Sequence, residues 1–446
     1  MSWLGRRAAA AAIAIALVIA AKARAQTPPT SAPTAVPAHP SASSPLSAGQ
    51  PGAQPASAAL TAGVIISSAN QDQFARFLPE AAVFALKHGF TMKVMPSRRL
   101  TWSAGFEHAT EKYSPQVGLD SKDHLKNYVA GLPFPLVNPA DPKAAVKIAY
   151  NWHMGPFMPD DFSLAPWSSN GYRAAPANPA LVVAKSDADF ACDQFTFLRF
   201  AHRTEVDPRP TLGENPMGVE WKARCNAWTA IGIAEAPNEG AGIWVRYLDP
   251  SQPDEFYGFS KLSRRVRRSA VNLAYPGETC RSCHQPFWAY ALPKTEIYTY
   301  RLLGTTTILG CLAAAEEPAG IAPAENGYKL TEEPFEPRHV YILEMIPIDP
   351  AHASNTTIVY IDSEIYVWLA ARFYQGGKLS AVAMPLWRMR PASGGGNLFD
   401  LAGSFYFPLG QPTFFRSLVP AHGAFQQKIN TGAPSEAAFM PQNLER

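Results

Sequence analysis

The sequence predicts a β-rich α+β protein organised around one large antiparallel sheet. Three observations carry that expectation. Prolines number 42 in 446 residues, roughly 9% against an average near 5%, which breaks up the uninterrupted stretches a helical bundle needs. Apolar and aromatic residues recur at every second position through the latter two-thirds of the chain, the period of a strand with one face buried. Only two segments show helical spacing, and no phosphate-cradling glycine fingerprint joins a strand to a helix, so strands linked by short turns are favoured over βαβ units. Hydrophobic residues at 47% and aromatics at 11% supply a large core.

The first segment, residues 1–25, reads as a secretory signal. Arg6 and Arg7 form its positive end, Ala8 to Ala21 its apolar run, and Ala23-Arg24-Ala25 a small-x-small cleavage site before Gln26. An uncleaved anchor is the competing reading, but a span needs roughly twenty apolar residues. No cysteine follows the cleavage site to carry a lipid. Residues 26–61 form a Pro/Ala/Ser-rich linker with no charged side chain; it lacks the apolar surface to offset its ordering entropy. Residues 62–446 then parse as one continuous domain. Of the formal net charge of +3, Arg6, Arg7, Lys22 and Arg24 belong to the leader; without them 35 basic residues face 36 acidic ones. A nucleic-acid binder keeps a basic excess, so DNA and RNA are not expected partners. The expected location is the periplasm.

Within the body, Asp72 to Gly89 carries Phe74, Phe77, Leu78, Phe84 and Ala85 near helical spacing, with Pro79 at a kink or second start and Gly89 as the stop. Asp141-Pro142 reads as a cap and first-turn proline for a helix through Val146, Ile148, Ala149 and Trp152. Strands are expected through Phe195 to Ala201, Ile243 to Tyr247, Ile297 to Arg301, Val340 to Ile346 and Thr357 to Ile361. Ile365 to Tyr374 leads through Gln375-Gly376-Gly377-Lys378 into Leu379 to Met384, a hairpin by its glycines.

Several blocks carry a family resemblance: Asn70 to Glu80, Ala109-Thr110-Glu111-Lys112-Tyr113-Ser114, and Asn127 to Pro135 with Gly131-Leu132-Pro133-Phe134-Pro135 at its end. Arg264 to Arg268, Tyr300-Arg301-Leu302-Leu303-Gly304, Glu336-Pro337-Arg338 and Tyr360-Ile361-Asp362 followed by Trp368 continue it in order. The chain resembles the exported bacterial domain-of-unknown-function 1329 proteins over nearly the whole body. That resemblance implies a fold like the outer-membrane lipoprotein carriers of the LolA-like superfamily, a curved, incomplete antiparallel barrel with helices covering the concave face. It further implies a hollow for a lipid or other hydrophobic ligand, and outer-membrane or transporter proteins as partners. Alternating aromatics equally describe an ordinary filled core, so periodicity leaves cavity and core both open.

The sharpest local motif is Cys280-Arg281-Ser282-Cys283-His284. Its C-x-x-C-H spacing is that by which two thiols attach covalent haem c while the imidazole of His284 ligates iron. His153, Met154, His202, Met384 and Met389 are each conceivable distal ligands. Pro286 argues against a helix starting at the histidine. A redox-active or structural cysteine pair, or a metal-binding turn completed by Cys311, accounts for the same residues. Cys192 and Cys225 fall in neighbouring expected strands and are candidates for a disulfide; with five cysteines in all, Cys311 is left over. In the basic run, alternation about Val266 puts Arg265 and Arg267 on one face, where paired guanidiniums suit a carboxylate or phosphate head group, although solvated strand charge explains them too. Trp102, Trp152, Trp167, Trp244, Trp288 and Trp368 read mainly as core.

No nucleophile elbow, H-E-x-x-H or zinc set is present, and Asp160-Asp161 and Glu316-Glu317 are acidic neighbours in loops rather than a facing pair. The favoured function is non-enzymatic binding or carriage of a lipid or other hydrophobic molecule. The alternative is a periplasmic redox protein using the Cys280–His284 motif.

Overall fold

The computed structural model describes residues 60–155, 163–164, 167–175, 178–198, 220–228, 240–247, 255–260, 264–269, 297–314, 320–392, 394–410, 413–418 and 440. The chain enters through β1 (Ile65–Ile66), a 3₁₀-helix (Gln71–Phe77) and α1 (Glu80–Lys87), then returns as β2 (Thr91–Val94). There follow α2 (Ala104–Tyr113), a small ladder of β3 (Gly118–Leu119) with β4 (Leu125–Lys126), and α3 (Ala144–Met154). The remaining strands begin with β5 (Ser163–Leu164), β6 (Trp167–Ala175), β7 (Asn178–Leu198), β8 (Glu220–Trp228), β9 (Gly240–Tyr247), β10 (Glu255–Ser260) and β11 (Arg265–Ser269). They continue with β12 (Tyr298–Gly310), β13 (Ile321–Ala324), β14 (Gly327–Leu330), β15 (Glu332–Pro347), β16 (Thr357–Asp362), β17 (Trp368–Gln375), β18 (Lys378–Pro391), β19 (Asn397–Pro408) and β20 (Thr413–Leu418).

Eighteen of these strands form one sheet. Antiparallel neighbours run β11-β10-β9-β8-β7-β6-β20-β19-β18-β17-β16-β15-β12, with β5 and β14 also on β7 and β13 on β14. The N-terminal part of β15 takes β2 as a parallel partner, and β2 carries β1. The sheet curls into a half-barrel, the β-rich architecture that the alternating pattern predicts. Among the described residues no helix is long and apolar enough to cross a membrane.

Local chemistry explains the elements that position the interior. Pro79 divides the first helical stretch: Leu78 before it is extended, and Pro79 itself (φ −64°, ψ 156°) stands at the N-terminus of α1. The Asp141 carboxylate accepts from the Lys143 amide at 2.8 Å, but α3 starts at Ala144 with Lys143 as its N-cap and no side-chain cap bond, so Asp141 and Pro142 both precede the helix instead of capping and opening it. The β17–β18 turn is a two-residue loop in which Gly376 (φ 58°) and Gly377 (φ 75°) both take left-handed backbone, the twist an antiparallel hairpin needs. Helix α2 is a surprise against the sequence expectations, although Phe106, Ala109, Thr110 and Tyr113 sit at helical spacing.

Alternation gives the sheet two greasy faces. On β18, Ala381, Ala383 and Trp387 pack with α2 and α3, whereas Val382, Met384 and Leu386 pack with α1. Helices therefore lie on both faces of this part of the sheet. Trp102, Trp152 and Trp368 are buried core residues as read from the sequence.

Candidate ligand-binding face

The face beneath α3 is assembled by cross-strand register. Tyr300 of β12 stands opposite Met345 of β15, Tyr341 opposite Ile361 of β16, and Val359 opposite Ala371 of β17. Ala371 then faces Ala383, Phe373 faces Ala381, and Ala383 faces Tyr406 of β19. Residues directly opposite in a ladder share a face, so three alanines form a low floor flanked by aromatic rings. Phe373 and Tyr406 meet at 5.8 Å between centroids. Burial pushes the Tyr406 phenol well above its ordinary range, as expected for a hydroxyl in apolar surroundings.

Helix α3 packs on the β12–β15 side of this face, with Val146, Ile148, Ala149 and Trp152 on its buried side. One polar residue of that helix, the fully buried Asn151, fixes the preceding segment. Its Oδ1 accepts from the Phe134 amide at 2.9 Å and its Nδ2 donates to the Phe134 carbonyl at 2.6 Å. Thr110 of α2 holds the same segment, its hydroxyl accepting from the Leu132 amide at 2.9 Å. Between them Gly131 (φ +76°) passes so close to α2 that a Cβ would lie 2.4 Å from the Thr110 nitrogen. The Gly131-Leu132-Pro133-Phe134-Pro135 block is thus a strap under two helices.

A buried charge network lies at the β15–β16 edge of this region. The Arg338 guanidinium donates to Asp362 at 2.6 Å and to Glu364 at 2.7 Å, and to the Arg98 carbonyl at 2.7 Å. Arg98 in turn donates to Glu336 at 2.9 Å, and the Leu100 amide to Glu364 at 3.0 Å. Burial works against the Arg338 charge, but the carboxylates of Asp362 and Glu364 outweigh it and raise the guanidinium above its ordinary range. Glu336-Pro337-Arg338 and Tyr360-Ile361-Asp362, separate blocks in the sequence, therefore meet in one bracket that pins residues 98–100 to the sheet. Arg388 and Asp400 make a similar buried cross-strand pair between β18 and β19 at 3.0 Å. Each of these acids faces an arginine, an arrangement that supports structure and leaves no facing carboxylate pair for proton transfer.

The other residues singled out from the sequence are more dispersed. Arg265 and Arg267 are exposed on β11, opposite Ser260 and Gly258 of β10, two positions apart on one strand. Strand alternation places them on the same side. Cys192 and Cys225 lie on adjacent strands, β7 and β8, but the register sets Cys192 opposite Ala227 and Cys225 opposite Phe195, with an irregularity between. A regular diagonal step of roughly 7–8 Å exceeds the usual disulfide span of about 4.4–6.8 Å between Cα atoms, so a bond there depends on that irregularity. Cys311 is buried and unbonded, and burial together with nearby Glu333 raises its thiol well above the ordinary value. Met154 and Met384 belong to the cores on opposite faces of the sheet. Cys280, Cys283, His284, His202, Trp288, Asp160-Asp161 and Glu316-Glu317 lie outside the described residues. Among the described residues no cluster of three or more His, Cys, Asp or Glu is placed to hold a metal ion.

Comparison with known proteins agrees with the first family blocks. Residues 65–175 match the family described as "Protein of unknown function (DUF1329)". Asn70 to Glu80, Ala109 to Ser114 and Asn127 to Pro135 fall inside that match, and the blocks from Arg264 onward fall outside it. Among solved structures, a DUF1329 family protein from Desulfovibrio piger is 12% identical with a TM-score of 0.42, covering 68% of this chain and 98% of its own. A putative outer membrane lipoprotein-sorting protein domain from Vibrio parahaemolyticus is also 12% identical with a TM-score of 0.42, covering 69% and 100%. A LolA superfamily protein from Nitrosomonas europaea is 10% identical with a TM-score of 0.35, covering 66% and 97%. No curated protein matches the chain.

Proposed function

We propose that this chain is an exported, periplasmic binding or carrier protein, without catalytic activity of its own, for a lipid or other hydrophobic molecule that serves the outer membrane or an export system. The observation that supports it best is the composition of the aromatic face of the sheet: an alanine floor at Ala371, Ala381 and Ala383, with Phe373 and Tyr406 beside it. Small residues in the middle of a curled sheet and large rings around them suit an acyl chain, which needs apolar contact along its length. Helix α3 is the natural cover, because its strap is held by a few hydrogen bonds from Asn151 and Thr110.

Arg265 and Arg267 supply a place for an acidic head group, where forked charge-assisted bonds add affinity only to an anion. The deciding experiment is mass spectrometry of organic extracts from protein purified out of the periplasm. A lipid at near-equimolar amount supports the carrier reading, and extracts empty of lipid count against it. Replacing Arg265 and Arg267 with Gln is expected to weaken an anionic lipid several-fold while leaving a neutral one unchanged; equal losses contradict the head-group role.

A second reading rests on one specific feature, the Cys280-Arg281-Ser282-Cys283-His284 spacing in an exported chain. Covalent haem c at Cys280 and Cys283, with His284 on iron, adds one haem to the mass of protein made with the cytochrome c maturation machinery. A colourless product made with that machinery removes the haem reading and leaves the dithiol alternative to thiol titration.

A further inference from the structure

We infer that Leu136, at the tip of the loop between the strap and α3, is a wedge that enters the acyl boundary of a lipid bilayer and holds the protein at a membrane surface. This names the partner surface within the carrier reading and rests on it.

The sequence clears the loop of charge. No charged side chain occurs between Lys126 and Asp141, and Pro133, Pro135 and Pro139 punctuate the stretch. Leu136 is 93% exposed, whereas no other large apolar residue among those described exceeds 50%. Leucines partly in solvent are ordinary on a protein surface, but one standing almost wholly in water is a feature of its own. The loop holds it there. Before the tip, Phe134 is buried, and its amide and carbonyl are both bonded to Asn151 of α3. After the tip, Val137 packs against the core that includes α3. Asn138 then turns the chain, its side chain accepting from the Ala140 amide and its carbonyl from the Asp141 amide, each at 3.0 Å. Pro135 and Pro139 fix φ on either side. Leu136 is therefore presented by a loop pinned at both ends, and its insertion loses little further conformational freedom.

The setting of the tip selects the partner. The lysines of the first turns of α3 are matched by acids, Lys143 with Asp123 and Lys147 with Asp141, each at 2.6 Å. Charge thus draws neither an anionic head group nor an acidic protein to this end of the helix. Pro135 and Pro139 have no N–H, and the Ala140 and Asp141 amides are bonded within the loop, which lowers the cost of taking this backbone out of water. A stable protein interface buries roughly 800 Å² on each side, and one leucine followed by exposed Asn138, Pro139 and Ala140 offers no apolar patch of that size. A bilayer asks for less, since a single apolar tip enters the acyl boundary while its polar neighbours stay among the head groups.

The test is flotation of the full exported chain with protein-free vesicles of phosphatidylcholine and phosphatidylglycerol at low and high salt. Saturable binding that salt leaves unchanged is expected. Leu136→Asn is expected to weaken it about tenfold or more, the partition value of one buried leucine, and Leu136→Phe to retain it. Because the residue is exposed, both variants are expected to keep the wild-type urea midpoint; a lower midpoint would show that Leu136 packs within the fold and overturns the wedge. Flotation of Leu136→Asn equal to wild type, flotation lost on replacing Arg265 and Arg267 with Gln, or no flotation of the wild type does the same. Binding to native outer-membrane vesicles but not to protein-free ones assigns the loop to a protein and also overturns it. Lipid extracted from the same preparations separates the two readings. Bound lipid without Leu136-dependent flotation removes the wedge alone, and Leu136-dependent flotation of protein with empty extracts removes the carrier reading alone.

Discussion

At Gly131 the backbone has φ +76°, and the nearest backbone of α2 lies where a side chain would begin. Gly131→Ala adds a left-handed alanine and a steric clash at once, each worth about 1–3 kcal/mol. Urea denaturation is expected to show a loss of about 2–5 kcal/mol, and a change under 1 kcal/mol would mean that the strap and α2 are not packed together. Asp362 tests the charge bracket in the same way. It is fully buried, accepts two bonds from Arg338, and also accepts the Glu364 and Ile365 amides at 2.9 and 3.0 Å. Asp362→Asn leaves the Arg338 charge short of its main partner, and breaking a buried pair from one side costs about 3–5 kcal/mol. A midpoint unchanged in urea would show that the remaining acids, Glu336 and Glu364, suffice.

Among the elements, α3 depends on its strap as much as on its own buried side. Asn151→Ala removes both bonds to Phe134, leaving a buried amide and carbonyl unmatched at about 1–3 kcal/mol each. Hydrogen exchange is expected to quicken at Phe134 and through α3 while β16 to β18 stay protected; uniform exchange across all of them would contradict local release. Elements with strong local signals were legible in advance. Pro79 and Gly89 bound α1, paired glycines define the β17–β18 turn, and alternation marks β16. β15 was only half legible: Val340 to Ile346 reads as strand, but the element begins at Glu332. Glu333, Pro334, Glu336, Pro337 and Arg338 look unlike a central strand until their charges are matched by Arg98, Asp362 and the Gly320 amide from elsewhere in the chain. Helix α2 was missed because its polar residues, Glu107, Glu111 and Lys112, hide a short apolar stripe, and its start draws on distant groups such as the Gly395 carbonyl.

For the molecule as a whole, buried tyrosines set an alkaline limit. Burial pushes Tyr360 up to about 12 and raises Tyr341, Tyr366 and Tyr406 as well. In the unfolded chain these phenols ionise near pH 10, so above that value the unfolded state gives up protons that the folded state keeps. Stability is therefore fully present below about pH 10 and is lost as pH rises toward about 12. Urea midpoints measured from pH 8 to 12 check this, and a flat profile across the upper two units would contradict the buried phenols. The candidate site was less legible than the sheet. Alternation announces aromatic strands, but only register brings Ala371, Ala381 and Ala383 side by side, and only the turn at Tyr366 carries its ring onto Tyr341.

The central claim is that the face under α3 takes up an acyl chain, and tryptophan quenching tests it directly. Trp152 and Trp387 belong to that core. Full-length protein mixed with vesicles of phospholipid brominated along its acyl chains is expected to lose tryptophan fluorescence saturably, with a smaller loss in Trp152→Phe. Fluorescence unchanged by brominated lipid, or quenched equally in Trp152→Phe, would contradict it.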